Sequence, residues 1–175
     1  TTDGSTAANA KGLRIEQEFF GEHKAEEIAS NYGHPDLVVC RHVLEHIEDL
    51  DDFMRGMSVF LKLGDLMLLE IPDSRINFYQ LDYAYWEEHV NYFTELTVSN
   101  LLQANGFKTI FMEAFTFSGR ALVIIAERCR SKNGYGNERL WMKGEIERVL
   151  WASDLWPKFR ELYRKHVDSI RMKEG

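Results

Sequence analysis

Two short stretches carry the residues that could do chemistry. The first, CRHVLEH at positions 40–46, sets Arg41, His42, Glu45 and His46 close together. The second, EEHVNYF at positions 87–93, sets Glu87, Glu88 and His89 among aromatic residues. An imidazole near its ordinary pKa is the side chain suited to take a proton at neutral pH. A carboxylate beside it can orient the ring or share the proton, so the pair Glu88 and His89 reads as a base with its helper. His42-x-x-Glu45-His46 also spells the inverted zinc-peptidase signature. That motif must lie within a helix so that both histidines face one ion. Here an apolar strand ends one residue before His42 and the next helix cap comes at Asp49, so no metal ligand is assigned.

The elements that must position these residues are legible from periodicity. Leu37 to Cys40 is a continuous apolar run of strand length without polar alternation, which reads as a strand covered on both faces. In open α/β sheets ligands bind beyond the carboxyl ends of the strands, which is where Arg41 to His46 fall. Asp49 is a good N-cap for a helix whose stripe is Leu50, Phe53, Met54, Met57, Phe60 and Leu61, with Asp51 and Asp52 where the helix dipole favours anions. A second apolar strand, Leu66 to Ile71, follows and is broken by Pro72. The segment from Asp73 to Phe93 is a long aromatic-rich loop, and loops of that length are commonly functional. Thr94 then caps a helix through Leu102 that Gly106 ends. Lys108 to Phe115 and Ala121 to Glu127 read as an antiparallel strand pair joined by FSGR at 117–120.

Upstream, residues 1–12 are small and polar with no packing pattern and no initiating Met, as in an excerpt of a longer chain. Leu13 to Phe20 alternates weakly and suits a short strand, and Glu22 to Tyr32 has helical spacing stopped by Gly33. After Cys129 a polar linker at 131–137 leads to two expected helices, about Glu138 to Trp151 and Ser153 to Lys173, with Pro157 in the first turn of the second. The aromatics of this tail read as packing residues. Two units result, a core over 1–128 and a helical extension over 129–175.

The totals bound the function. The 175 residues are 45% apolar and 28% charged, ordinary for a globular chain. A net charge of -7 argues against a nucleic-acid surface, which needs a basic face. The two cysteines, Cys40 and Cys129, lie far apart with no CxxC and read as free thiols. No apolar run approaches the ~20 residues that span a bilayer and no signal peptide opens the chain, so a cytoplasmic protein without membrane partners is the expectation.

Taken together, DLVVCRHVLEHIED, LLEIPD, EEHVNYFTELTVSNLLQANGF and the final strand pair resemble the class I S-adenosylmethionine-dependent methyltransferases, most closely the branch with the sugar C-methyltransferases. The resemblance runs from about Gly12 to Arg128. It implies an α/β fold: a partial Rossmann-like methyltransferase sheet, parallel strands plus an antiparallel final pair, with a C-terminal helical extension. The family's sheet order is 3-2-1-4-5-7-6, and its glycine-rich loop and ribose-binding acidic residue belong to strands that have no counterpart before Leu13. Strand Leu37 to Cys40 would then be an apolar edge, and the expectation is that a second copy of the chain or a missing segment covers it.

For function the resemblance implies methyl transfer from S-adenosylmethionine to a small-molecule acceptor, with C-methylation of a sugar-like substrate foremost and O- or N-methylation open. His89 and Glu88 match the family's catalytic pair, and His46 matches an active-site histidine near cofactor and acceptor. Cys40, Arg41 and His42 would touch the cofactor at the strand end, and Phe20 would flank its adenine. Where the sugar enzymes carry a Tyr two places before Glu88, this chain has Trp86, with Tyr85 one place off. The competing expectation is a truncated methyltransferase-like module with an assembly role and no activity of its own.

Overall fold

The computed structural model describes residues 12–75, 88–116, 120–130 and 138–171. Element order is α1 (Glu22–Tyr32), β1 (Leu37–Arg41), a 3-10 turn (Leu44–His46), α2 (Leu50–Phe60), β2 (Leu66–Pro72), α3 (Glu95–Ala104), β3 (Phe107–Phe115), β4 (Ala121–Arg128) and α4 (Glu138–Arg171). The four strands form one sheet in the order β1-β2-β4-β3. β1 and β2 are parallel, whereas β2 with β4 and β4 with β3 are antiparallel. This is the 4-5-7-6 portion of the order that the resemblance implies.

The core lies on one face of this sheet. Cys40, Leu69, Ile124 and Met112 make a rung across all four strands. Phe53, Met54, Met57 and Leu61 from α2 and its C-cap join it, as do Val98 and Leu102 from α3. The stripe read from the sequence is therefore the stripe that packs. α2 begins where its chemistry says it should: the Asp49 carboxylate accepts the Asp52 N–H at 2.9 Å. α3 starts in a reciprocal cap between Thr94 and Thr97.

The opposite face differs from the expectation of a strand buried on both sides. Val39, Leu68, Ile125 and Phe111 make an apolar rung on that face. Val39 is 54% exposed, Phe111 40% and Leu37 50%. The continuous apolar run of β1 is real, but among the described residues only its Cys40 side meets the core. β1 is also the sheet's edge, so its outer backbone groups face no strand among the described residues.

Two further expectations are corrected. Residues 13–20 form no strand. Phe20 instead packs against Phe53 and Phe60, with ring centroids 5.7 and 5.8 Å apart, and the chain presses so close to α2 that a Cβ on Gly56 would meet the Gly21 carbonyl group at 2.7 Å. The aromatic residue that ends the segment is drawn to α2 and α1 follows along it. The second correction is in the tail, where α4 is one helix of 34 residues with Pro157 in its interior. No glycine or proline interrupts the chain between Trp151 and Trp156, so propensity gives no break there even though Pro157 removes one backbone donor. Its apolar residues Leu162 and Tyr163 are exposed, at 65% and 62%. The FSGR connection falls largely outside the described residues, as do the tail tryptophan side chains. No helix among the described residues is long and apolar enough to cross a membrane.

Candidate active site

The C-terminal ends of β1 and β2 are neighbours because the strands are parallel and in register, Arg41 opposite Glu70. Glu70 is the one charged residue in the strand LMLLEIP, and it is claimed from two sides. Arg41 donates to it through Nε at 2.5 Å and Nη2 at 3.2 Å, and His42 Nε2 lies 3.1 Å away. The Arg41 guanidinium holds the Glu70 carboxyl below its usual range, with His42 adding to the effect. His42 reaches this position because it adopts a left-handed backbone, φ 51°, which turns the chain sharply off the strand. Its Nδ1 lies 3.4 Å from Glu45 Oε1, so the ring stands between two carboxylates.

The turn Leu44–His46 then meets the second chemical stretch. The N–H groups of Val90 and Asn91 both donate to the Glu45 carbonyl, at 2.9 and 3.0 Å. The Asn91 side chain donates to the Ile47 carbonyl at 2.6 Å and to that of Leu44 at 3.4 Å. His46 Nδ1 lies 2.8 Å from the Glu88 carbonyl oxygen. A carbonyl can only accept, so Nδ1 carries the proton and the Nε2 of a neutral His46 ring keeps its lone pair. These bonds bring the His46 and His89 rings to a centroid separation of 4.8 Å, edge to face, with Tyr92 at 6.2 Å from His89.

The far end of the loop is tied to β2. The Ser74 N–H donates to the Phe93 carbonyl at 2.9 Å. Asp73 is 1% exposed and receives Arg75 and Arg120, the latter at 2.7 Å, while Arg75 also pairs with Glu95 at the start of α3. Burial alone would raise the Asp73 carboxyl, but the hydrogen bonds from Arg75 and Arg120 outweigh it and hold the group below its ordinary 3.8. Residues 88–94 are therefore sewn between the 3-10 turn and the end of β2.

The expected site residues divide accordingly. His46, Glu88 and His89 come together. Arg41 and His42 are beside them but bound to Glu70. Cys40 is 6% exposed in the core, and burial first, then the Glu45 charge, pushes its thiol up to about 11. It is thus a neutral thiol near pH 7, offering a ligand little beyond its backbone. Phe20 belongs to the packing against α2. Trp86, Tyr85 and Glu87 lie outside the described residues. Two contributors were not singled out from the sequence, Glu70 and Asn91. A lone carboxylate at the end of an otherwise apolar strand was the available signal for Glu70. Asn91 had none beyond its place in the loop.

The fit to S-adenosylmethionine is partial. A glycine-lined cradle needs glycines where backbone must approach a ligand closely. Among the described glycines, Gly12, Gly33 and Gly64 stand in open space, while Gly21, Gly56 and Gly106 are pressed against this chain's own atoms. The described residues place charged groups at the strand ends but offer no such cradle.

Comparison with known proteins agrees with this topology. Residues 2–110 match a family model described as a methyltransferase domain. Over 121 residues the chain is 26% identical to C-methyltransferase NovU from Streptomyces niveus, covering 68% of this chain and 29% of that protein. Among solved structures it resembles an S-adenosylmethionine-dependent methyltransferase from Listeria monocytogenes, described as putative, with TM-score 0.53, 16% identity, and 74% of this chain and 78% of that one covered. A structure reported for conversion of a disulfide bond into a thioacetal group during echinomycin biosynthesis aligns with TM-score 0.50 at 12% identity, over 83% of this chain and 67% of that one. The chain spans less than a third of the length of the curated relative it matches.

Proposed function

The chain belongs to the methyltransferase-domain family, the class I S-adenosylmethionine-dependent methyltransferases, and from that premise we propose that its site takes a proton from a small-molecule acceptor during methyl transfer, with His89 as the base. The observation that carries this is the hydrogen-bonded seam joining residues 44–47 to 88–91, which sets His89 against His46 at the carboxyl end of β1. The cofactor, when bound, supplies an electrophilic methyl group on a sulfonium. The residues of this chain do the rest: His89 accepts the acceptor's proton, Glu88 beside it shares that proton, and His46 stands against the His89 ring with its Nε2 lone pair. A carbon flanked by a carbonyl becomes nucleophilic only on losing a proton, so a histidine base suits C-methylation. The similarity to C-methyltransferase NovU favours that class, and a sugar-like acceptor follows from the resemblance read in the sequence. Arg41, His42 and the backbone of Cys40 form the cofactor-facing wall, and Phe20 lies toward the adenine end.

A second reading has its own observation. The open β1 edge with Leu37 and Val39 exposed favours a module that completes its sheet by assembly, through a second copy of the chain or a further segment, before it acts. Calorimetry with S-adenosylmethionine, followed by transfer of a labelled methyl group to keto-sugar acceptors, separates the two. The base assignment predicts that His89→Gln loses about 100-fold or more in transfer rate while cofactor affinity is kept. Absence of heat and of thermal shift at millimolar cofactor supports the assembly module instead.

A further inference from the structure

Glu45 is 1% exposed, yet its Oε2 atom has no hydrogen-bond partner. A bare carboxylate oxygen in such a place is costly unless something positive meets it. Besides His42, which stands 3.4 Å from Glu45 Oε1, two more imidazoles are close: ligand-capable atoms of Glu45, His46 and His89 all fall within 4.8 Å of one another. We propose that these three residues form a site for a divalent transition cation of the zinc class.

Three features favour this. The donor set, two imidazole nitrogens and one carboxylate oxygen, is of the kind that binds zinc while leaving a position open. His46 is already oriented as a ligand is, since its Nδ1–H is spent on the Glu88 carbonyl and Nε2 is left to bind. The scaffold is held from both sides, because the Glu45 carbonyl accepts the N–H groups of Val90 and Asn91, the two residues after His89. Donors around a tetrahedral zinc stand about 3.3 Å apart given its bond lengths. The donor atoms stand within 4.8 Å, with His46 exposed and His89 partly so, and an adjustment of the His89 side chain would draw them closer while His46 keeps its bond to Glu88. The trio is not the H-x-x-E-H set, because His42 turns to Glu70 and His89 arrives from another part of the chain.

The inference goes beyond the proposed reaction and is measured without it. A cation and a proton compete for the lone pair of His89, so a loaded site suspends the base and offers an open coordination position to an acceptor oxygen. The test is titration of Zn2+ into the chelator-stripped full chain, by calorimetry and by competition with a chromogenic chelator. The expected result is one Zn2+ per chain with a rise in unfolding temperature. Affinity should fall by more than about 10-fold in each of His46→Ala, His89→Gln and Glu45→Gln. Circular dichroism of each variant controls for folding, and His34→Ala and His166→Ala should bind as the parent does. Failure of the parent to bind Zn2+, or binding that survives His89→Gln but is lost in His42→Ala, would overturn the assignment. Absence of methyl transfer in the chelator-stripped chain, with Zn2+ binding intact on titration, would count against the proposed reaction alone.

Discussion

At the scale of single residues, the site depends on an amide. Asn91 ties the second chemical stretch to the first by donating to the Ile47 and Leu44 carbonyls, while its own N–H meets Glu45. Replacing it by alanine leaves two carbonyls short of a donor and loosens, without releasing, the loop that holds His89 against His46. Asn91→Ala should cost about 1–2 kcal/mol in chemical denaturation and lower methyl transfer more than it lowers cofactor affinity. The histidines and Glu88 were legible as chemistry because their types announce it. Asn91 was not, because an asparagine in a loop says nothing about which distant carbonyls it will meet. Nor was the partner of Arg41 and His42: Glu70 across the ladder binds both side chains.

Among elements, the best-read ones carry local signals. The Asp49 cap, the α2 stripe, the Thr94 cap and the β3–β4 pair each depend on residues near in sequence, and all appear as expected. The misreadings fall where the deciding partner is remote. Leu13 to Phe20 has strand-like alternation, but Phe20 finds Phe53 and Phe60. At the end of β2, Asp73 gathers Arg75 and Arg120 and so joins the loop, the sheet and α3. Asp73→Asn should destabilise the chain by about 3 kcal/mol, since it leaves two arginines facing a neutral group. The pH dependence has a definite sign. The folded carboxyl titrates below its ordinary 3.8, so its contribution is present above that value and is lost as pH falls through the lower folded value. Acid unfolding followed by circular dichroism should lose this component in Asp73→Asn.

At the scale of the whole molecule, the described residues cover the sheet on one face and leave the other open. The sequence could not reveal this, because an apolar run specifies only that a strand prefers cover, not that the covering layer is present in the same chain. The rung Val39, Leu68, Ile125, Phe111 and the bare β1 edge together make the surface by which the chain would associate. Sedimentation of the parent should show concentration-dependent association, and Val39→Lys should weaken it without loss of helix content. A parent that stays monomeric at high concentration with this edge exposed would remove the assembly reading.

The central claim is that two stretches far apart in sequence form one site, with His46 fixed as the Nδ1–H tautomer and His89 against it. Nitrogen-15 spectra of the histidine rings, with through-space contacts between ring protons, test it most directly. The account predicts that neutral His46 carries its proton on Nδ1, with contacts to the His89 ring that weaken in Asn91→Ala. A neutral His46 protonated on Nε2, or rings with no mutual contact in the parent, would contradict it.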